Sequence, residues 1–581
     1  MRQFLNSLLS LVLITSPIAA QVDEKAKAQE KLERQKELER QALILVDEVA
    51  TGAQSLKLPE NRSYVLATTA DLLWDHDEKR ARALFWESLH TLNIALDTQS
   101  KNASRNERTA SYFATFGLRQ RLLRLVARHD PDLALELLRT TRQAPPENPK
   151  FRFPDDRELE QQIAAEAAAR DPQRALQLAR DSLARGFTFE LLNVLYQLNN
   201  VDQEVGSKFA GQIIDKLKTE NVATDVRGFE IAVQLLVYSR DREAESARLS
   251  SLGPGVLQLK LDEGQRRELT ELIANAALSI SSSRDLLYAV DEMKPEIEKF
   301  APERMRLLQA KVADFSRRLS KEDRTWADYN ALVRTSTSEE LLRAANKADS
   351  EQRSGLQQSA IVTAVLKGKA DSLREVINNE IDDDSRRKSL LDSLNEEEIG
   401  YLAYRGDAAG LQKLLPQVRR KENRARAMAQ MAIMLEEKGD HDEAVQLLGE
   451  AETLVKTDFR SETRTNALLE LLLAYALVDP GKAFVLIERT IDRANDEVSK
   501  AALVDKVVKS GAFKKGEILL QNSGSGPVEL ALYKYGKGVE ALATADFART
   551  KATADRFQRN ELRLMSRLLI AQALLRTDPR R

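Results

Sequence analysis

The sequence predicts an all-α protein made of irregular helical hairpins, and three observations carry that prediction. From Leu58 onward, apolar residues recur at helical rather than alternating spacing. The composition favours helix: 31% charged residues, with Arg and Lys interleaved among Glu and Asp, against 5% aromatics, 15 prolines and 23 glycines in 581 residues. One piece of punctuation also recurs, Asp-Pro-x-x-Ala followed by Leu or Phe, starting at Asp130, Asp171 and Asp479. In each copy Asp caps the open amides of the next helix, and Pro fills a position that needs no amide hydrogen. The small Ala then lets neighbouring helices approach. A chain of this length exceeds one compact core, so it forms several domains or an elongated array.

The elements follow in order. Residues 1–20, with Arg2, an apolar run from Leu8 to Ile14, Pro17 and Ala19-Ala20, have the layout of a secretory signal peptide. The run is well short of the ~20 residues a membrane span needs. The mature chain is therefore expected to begin near Gln21, to be exported to the periplasm or outside the cell, and to contain no membrane span. Residues 21–52 read as a charged helix with Glu30–Arg34 and Glu33–Lys36 spacings. It would dock only through Ala42, Leu43, Leu45, Val46 and Val49. Residues 53–142 read as helical repeats, and 143–156, with four prolines, as a linker. Residues 157–350 form irregular repeats. Within them Ala175, Leu176, Ala179 and Leu183 share one helical face that stops at Gly186. Residues 351–581 are the most regular, and a fragment covering them is expected to fold alone. No strand is expected, because no Asn-Gly or Asp-Gly turn separates alternating segments.

The regularity peaks at Arg424–Val455, "RARAMAQMAIMLEEKGDHDEAVQLLGEAETLV". Small residues Ala429 and Ala432 lie on the first helix, Gly439-Asp440 makes the turn, and Ala444, Leu448 and Ala451 follow as small, large and small. This segment resembles a tetratricopeptide repeat. A degenerate copy begins at Tyr401, where Asp407 lies 33 residues before Asp440. Other spacings are longer: 39 residues from Asp440 to Asp479, and 41 from Asp130 to Asp171. The resemblance implies a tetratricopeptide-like α-solenoid with irregular units that binds a protein or peptide on a concave surface. It supplies no catalytic residues.

The search for chemistry returns little. With no cysteine there are no disulfides, thiol nucleophiles or thiolate metal sites. A net charge of −2 gives no global attraction to nucleic acid. The tetrapeptide Asp-His-Asp-Glu, at Asp75–Glu78 and Asp440–Glu443, superficially resembles a metal or acid–base set. Adjacent side chains in one turn fan apart, and no spaced partner accompanies them, so both copies read as helix caps. The acidic run Asp382–Asp384 reads as a capped helix start, and Gly524–Gly526 as a connector rather than a phosphate loop. The basic cluster Arg419, Arg420, Lys421, Arg424 and Arg426 reads as a solvated helix end that could meet an acidic partner. No cofactor or metal is expected. The function expected is an exported, non-enzymatic scaffold for protein–protein interaction, with Arg424, Gln430, Glu437, Arg464 and Glu470 as candidate partner contacts. The alternative is an all-helical hydrolase or lyase acting on cell-wall or extracellular polysaccharide. Sugar platforms usually use aromatic rings, and only Trp74, Trp86 and Trp326 supply indoles.

Overall fold

The computed structural model describes residues 29–97, 105–141, 155–240, 257–279, 290–318, 321–455, 461–508, 512–520 and 527–575. The expected signal peptide lies outside these residues, as does the proline-rich linker apart from Asp155 and Asp156. Helix dominates throughout, which establishes an all-α fold. No helix among the described residues is long and apolar enough to cross a membrane. The chain divides into two compact units. One joins the described residues up to Leu122 with those from Leu435 on, and the other runs from Leu123 to Met434.

In the unit Leu123–Met434 most helices pack on a sequence neighbour, and several on the next but one. Pro131–Thr140 packs on Asp156–Ala167, which packs on both Pro172–Ala184 and Glu190–Val201. The pattern continues through Gln203–Thr219, Val226–Tyr238, Glu263–Ser279 and Pro302–Arg318, whose apolar faces share one core from Ala164 to Leu308. A second core, Leu341 to Leu394, joins the helices Ser338–Lys347, Ser350–Leu366, Ala370–Glu380 and Asp384–Tyr404. Serial packing of this kind is compatible with a helical repeat, where each unit buries its apolar face on its neighbours.

The other unit is assembled from the two ends of the chain. Helix α1 (29–53) exposes its charged first half and buries Ala42, Leu45, Val46 and Val49, matching the expected docking face. Arg34, expected to pair with Glu30, donates to the Thr544 carbonyl. Leu45 shares a core with Ala543, Ala554 and Ile570. Lys551 and Arg567 both pair with Glu48, at 2.6 and 3.2 Å. Helix α2 (Pro59–Leu73) packs on α3 (Glu78–Asp97) and on the helix Asn560–Leu575. The fragment 351–581 expected to fold alone coincides with neither unit. Such a fragment would cut one unit and strip the other of α1–α3.

One correction is a small hairpin. Strands β1 (Phe513–Lys514) and β2 (Glu517–Ile518) pair antiparallel, Phe513 opposite Ile518 and Lys514 opposite Glu517. Lys515 and Gly516 turn with φ of 50° and 82°, the paired left-handed geometry of a tight hairpin. A lysine in the first position hid this turn from sequence reasoning. The hairpin clasps α2. The Glu517 carboxylate accepts from the Lys57 and Leu58 N–H groups at 2.7 and 3.1 Å and from Asn61 Nδ2 at 3.2 Å. Asn61 also donates to the Ile518 carbonyl and accepts from the Leu520 N–H. Helix α2 has no side-chain cap of its own, and Glu517, 459 residues beyond Leu58, instead fixes the two residues that lead into it.

Candidate functional site

The recurring turns carry the site geometry. Asp130, Asp171 and Asp479 accept from Leu133, Arg174 and Lys482 N–H groups at 2.9, 2.9 and 3.0 Å, each with Pro opening the helix. The following Ala134, Ala175 and Ala483 are wholly buried, so the small residue sits in a seam. Leu176 and Phe484 are buried beside it. Leu135 is only half-buried, and Leu137 and Leu138 fill that seam instead.

A second device appears three times among the described residues. Gly368, Gly406 and Gly439 adopt φ of 64°, 67° and 89°. In each turn the residue after Gly donates back to the carbonyl five residues earlier: Lys369 to Ala364 at 2.7 Å, Asp407 to Leu402 at 2.9 Å and Asp440 to Leu435 at 2.9 Å. This is a Schellman stop, which needs the left-handed conformation glycine adopts freely. Around the third copy Ala429, Ala432, Ala444, Leu448 and Ala451 are all fully buried.

The Asp-His-Asp-Glu segments sit in such turns. Asp77 caps α3, accepting from the Arg80 N–H at 3.0 Å, and His76 lies 3.7 Å from Glu39. Asp440 occupies the cap position of the helix His441–Leu454 without a side-chain bond. The Glu436 carboxylate, hydrogen-bonded to the His441 ring at 2.8 Å, raises the imidazole pKa above its ordinary value. No group of three His, Asp or Glu suited to a metal occurs among the described residues. The acidic run is a capped helix start as expected: the helix opens at Asp384, Asp383 accepts from the Arg386 N–H at 2.6 Å, and Asp384 pairs with Lys388 and Arg387.

Arg424, Gln430 and Glu437 lie on the helix Lys421–Lys438, and Arg464 and Glu470 on Glu462–Val478. Arg424 and Glu437 are exposed, and the other three are half-buried. Arg424 and Gln430 belong to the unit Leu123–Met434, whereas Glu437, Arg464 and Glu470 belong to the other, so the five are taken by unit.

Sequence reasoning missed a polar node in the regular region. The buried Tyr475 hydroxyl donates to Glu452 at 3.0 Å, and Lys482 Nζ reaches the same oxygen at 2.8 Å. Burial, reinforced by Glu452, pushes the Tyr475 pKa up to about 12. Burial alone would raise the Glu452 pKa, but bonds from Lys482 and Tyr475 outweigh it and hold the carboxylate below its usual range. Glu452 in turn raises Lys482. All three keep their ordinary neutral-pH forms, so the node braces three successive helices and has no poised proton to transfer. Asp479-Pro480 marked the turn beside it, but no spacing signal linked Glu452 to Lys482.

No protein-family model matches the chain, and no curated protein matches it significantly.

Proposed function

We propose that this protein is an exported, non-enzymatic scaffold whose tetratricopeptide-like helical hairpins bind a protein or peptide partner in the cell envelope or outside the cell. The observation that carries the reading is the threefold Schellman stop at Gly368, Gly406 and Gly439, each ending one helix and leading into the next in the same way. Repeating one joint while the helix faces vary is how a helical array presents a long surface that can be tuned unit by unit. The consumption of titratable groups in braces such as Glu452–Tyr475–Lys482 agrees with a structural use of charge. The test is affinity capture with chain 21–581 against the envelope fraction of its host, paired with turnover assays on cell-wall glycans. A specific protein partner and no turnover is the expected result. Glycan cleavage abolished by a single Asp or Glu substitution would favour the hydrolase or lyase alternative.

A further inference from the structure

Asp130, Asp171 and Asp479 each place a carboxylate at a helix start, complementing the positive end of the helix dipole. The helix Lys421–Lys438 does the opposite. Arg419 and Arg420 precede it, Lys421 opens it and Arg424 follows within the first turn. All four are exposed, and among the described residues none of their side chains enters a hydrogen bond or ion pair. Arg426, two residues on, is neutralised by Glu396 at 2.8 Å. The first turn has one acidic residue, Glu422, which is half-buried.

This turn is anchored. Val418 is buried, Asn395 Nδ2 donates to the Gln417 carbonyl at 3.2 Å, and the Arg424 N–H donates to the Arg420 carbonyl at 2.9 Å. Within the same turn Asn423 is fully buried, and neither its amide oxygen nor its amide nitrogen has a partner. The turn thus combines four uncompensated cations, helix-start N–H groups that no intrahelical carbonyl satisfies, and an unused buried amide. Cations at this end of a helix work against its stability, and such local conflicts concentrate where a ligand resolves them.

We propose that the start of the helix Lys421–Lys438 docks an acidic peptide segment, its carboxylates held by Arg419, Arg420, Lys421 and Arg424. The proposal rests on the scaffold reading and narrows it to a class of partner. Three guanidinium groups favour planar, bidentate carboxylate recognition. A single helical turn matches the few carboxylates of a peptide better than the extended charge of a duplex or bilayer. The net charge of −2 makes the attraction local to this turn.

The experiment uses chain 21–581 and a labelled octaglutamate peptide, followed by fluorescence anisotropy at low and high salt. Saturable binding should weaken with salt and fall about tenfold or more when Arg419, Arg420, Lys421 and Arg424 are all changed to Gln. The control changes four other exposed cations of the same unit, Arg306, Lys347, Lys367 and Lys369, to Gln and should bind as wild type does. Neither variant loses a contact, so both should fold: the fourfold variant should melt at or slightly above the wild-type temperature, having shed cations from the helix start, and the control should stay close to it. Equal loss in the control, or no saturable binding by wild type, overturns the site. So does binding to phosphatidylglycerol vesicles through the same four cations without binding to the peptide. A native partner whose capture survives the fourfold substitution overturns this site and leaves the scaffold reading standing. Glycan turnover with no partner overturns the scaffold reading.

Discussion

Asp171 shows how much a single residue decides here. Its carboxylate holds the Arg174 N–H at 2.9 Å, Pro172 follows, and Ala175 lies wholly buried in the seam. Replacing Asp171 with Ala removes the acceptor and leaves the proline, so the helix start loses a cap but not its backbone bias. Chemical denaturation should show a loss of about 0.5–2 kcal/mol, with Asp171→Asn retaining most of the stability. Residues of this kind were legible because cause and effect lie within three positions of each other. Asp382–Asp384 marks the limit of that legibility. Three adjacent carboxylates compete for one cap, and backbone geometry gives it to Asp383 rather than Asp384. Tyr475 was not legible at all, because its hydroxyl partner Glu452 lies 23 residues away on another helix.

At the scale of elements, the glycine stop is the feature to test. Gly439 has φ of 89°, and a Cβ there would meet nothing within 4 Å, so only backbone conformation opposes a side chain. Gly439→Ala should destabilise by about 1–2 kcal/mol. Gly449, mid-helix in His441–Leu454, has equally open space and no left-handed φ. Gly449→Ala should stabilise by about 0.5–1 kcal/mol through helix propensity. Opposite shifts in thermal melting of the two variants are the expected outcome, and equal shifts would remove the backbone explanation. Helices and their stops were readable in sequence because period and punctuation are local. The hairpin at Phe513–Ile518 was not, since four strand residues give no period and Lys-Gly is a weak turn signal.

At the scale of the whole molecule, the unit formed by the two chain ends was invisible to sequence reasoning. Helical period shows that a face is apolar but not which distant helix covers it, so α1 was read as a loosely docked helix. The residue that closes the unit is Glu517, which is 6% exposed and so has little water to replace its protein partners. Glu517→Ala leaves the Lys57 and Leu58 N–H groups without their acceptor. It should cost about 2–4 kcal/mol, concentrated in faster amide exchange across α1, α2 and the hairpin. Glu517→Gln keeps one acceptor oxygen and should lose less. Uniform exchange throughout the chain, rather than a local increase, would show that Glu517 is not the closing residue.

The same contact has a consequence in time. Synthesis proceeds from the amino end, so Leu58 leaves the ribosome long before Glu517, which lies 459 residues behind it. Throughout that interval Leu45 has none of Ala543, Ala554 or Ile570 to pack against. Contacts so distant in sequence form late and slowly, and apolar surface left waiting invites association with the wrong neighbour. The unit Leu123–Met434 needs no such delay, because its packing partners follow one another along the chain. Helices α1 and α2 are thus made early but find their places late, and until the hairpin arrives only solvent or a chaperone is there to hold the Lys57 and Leu58 N–H groups.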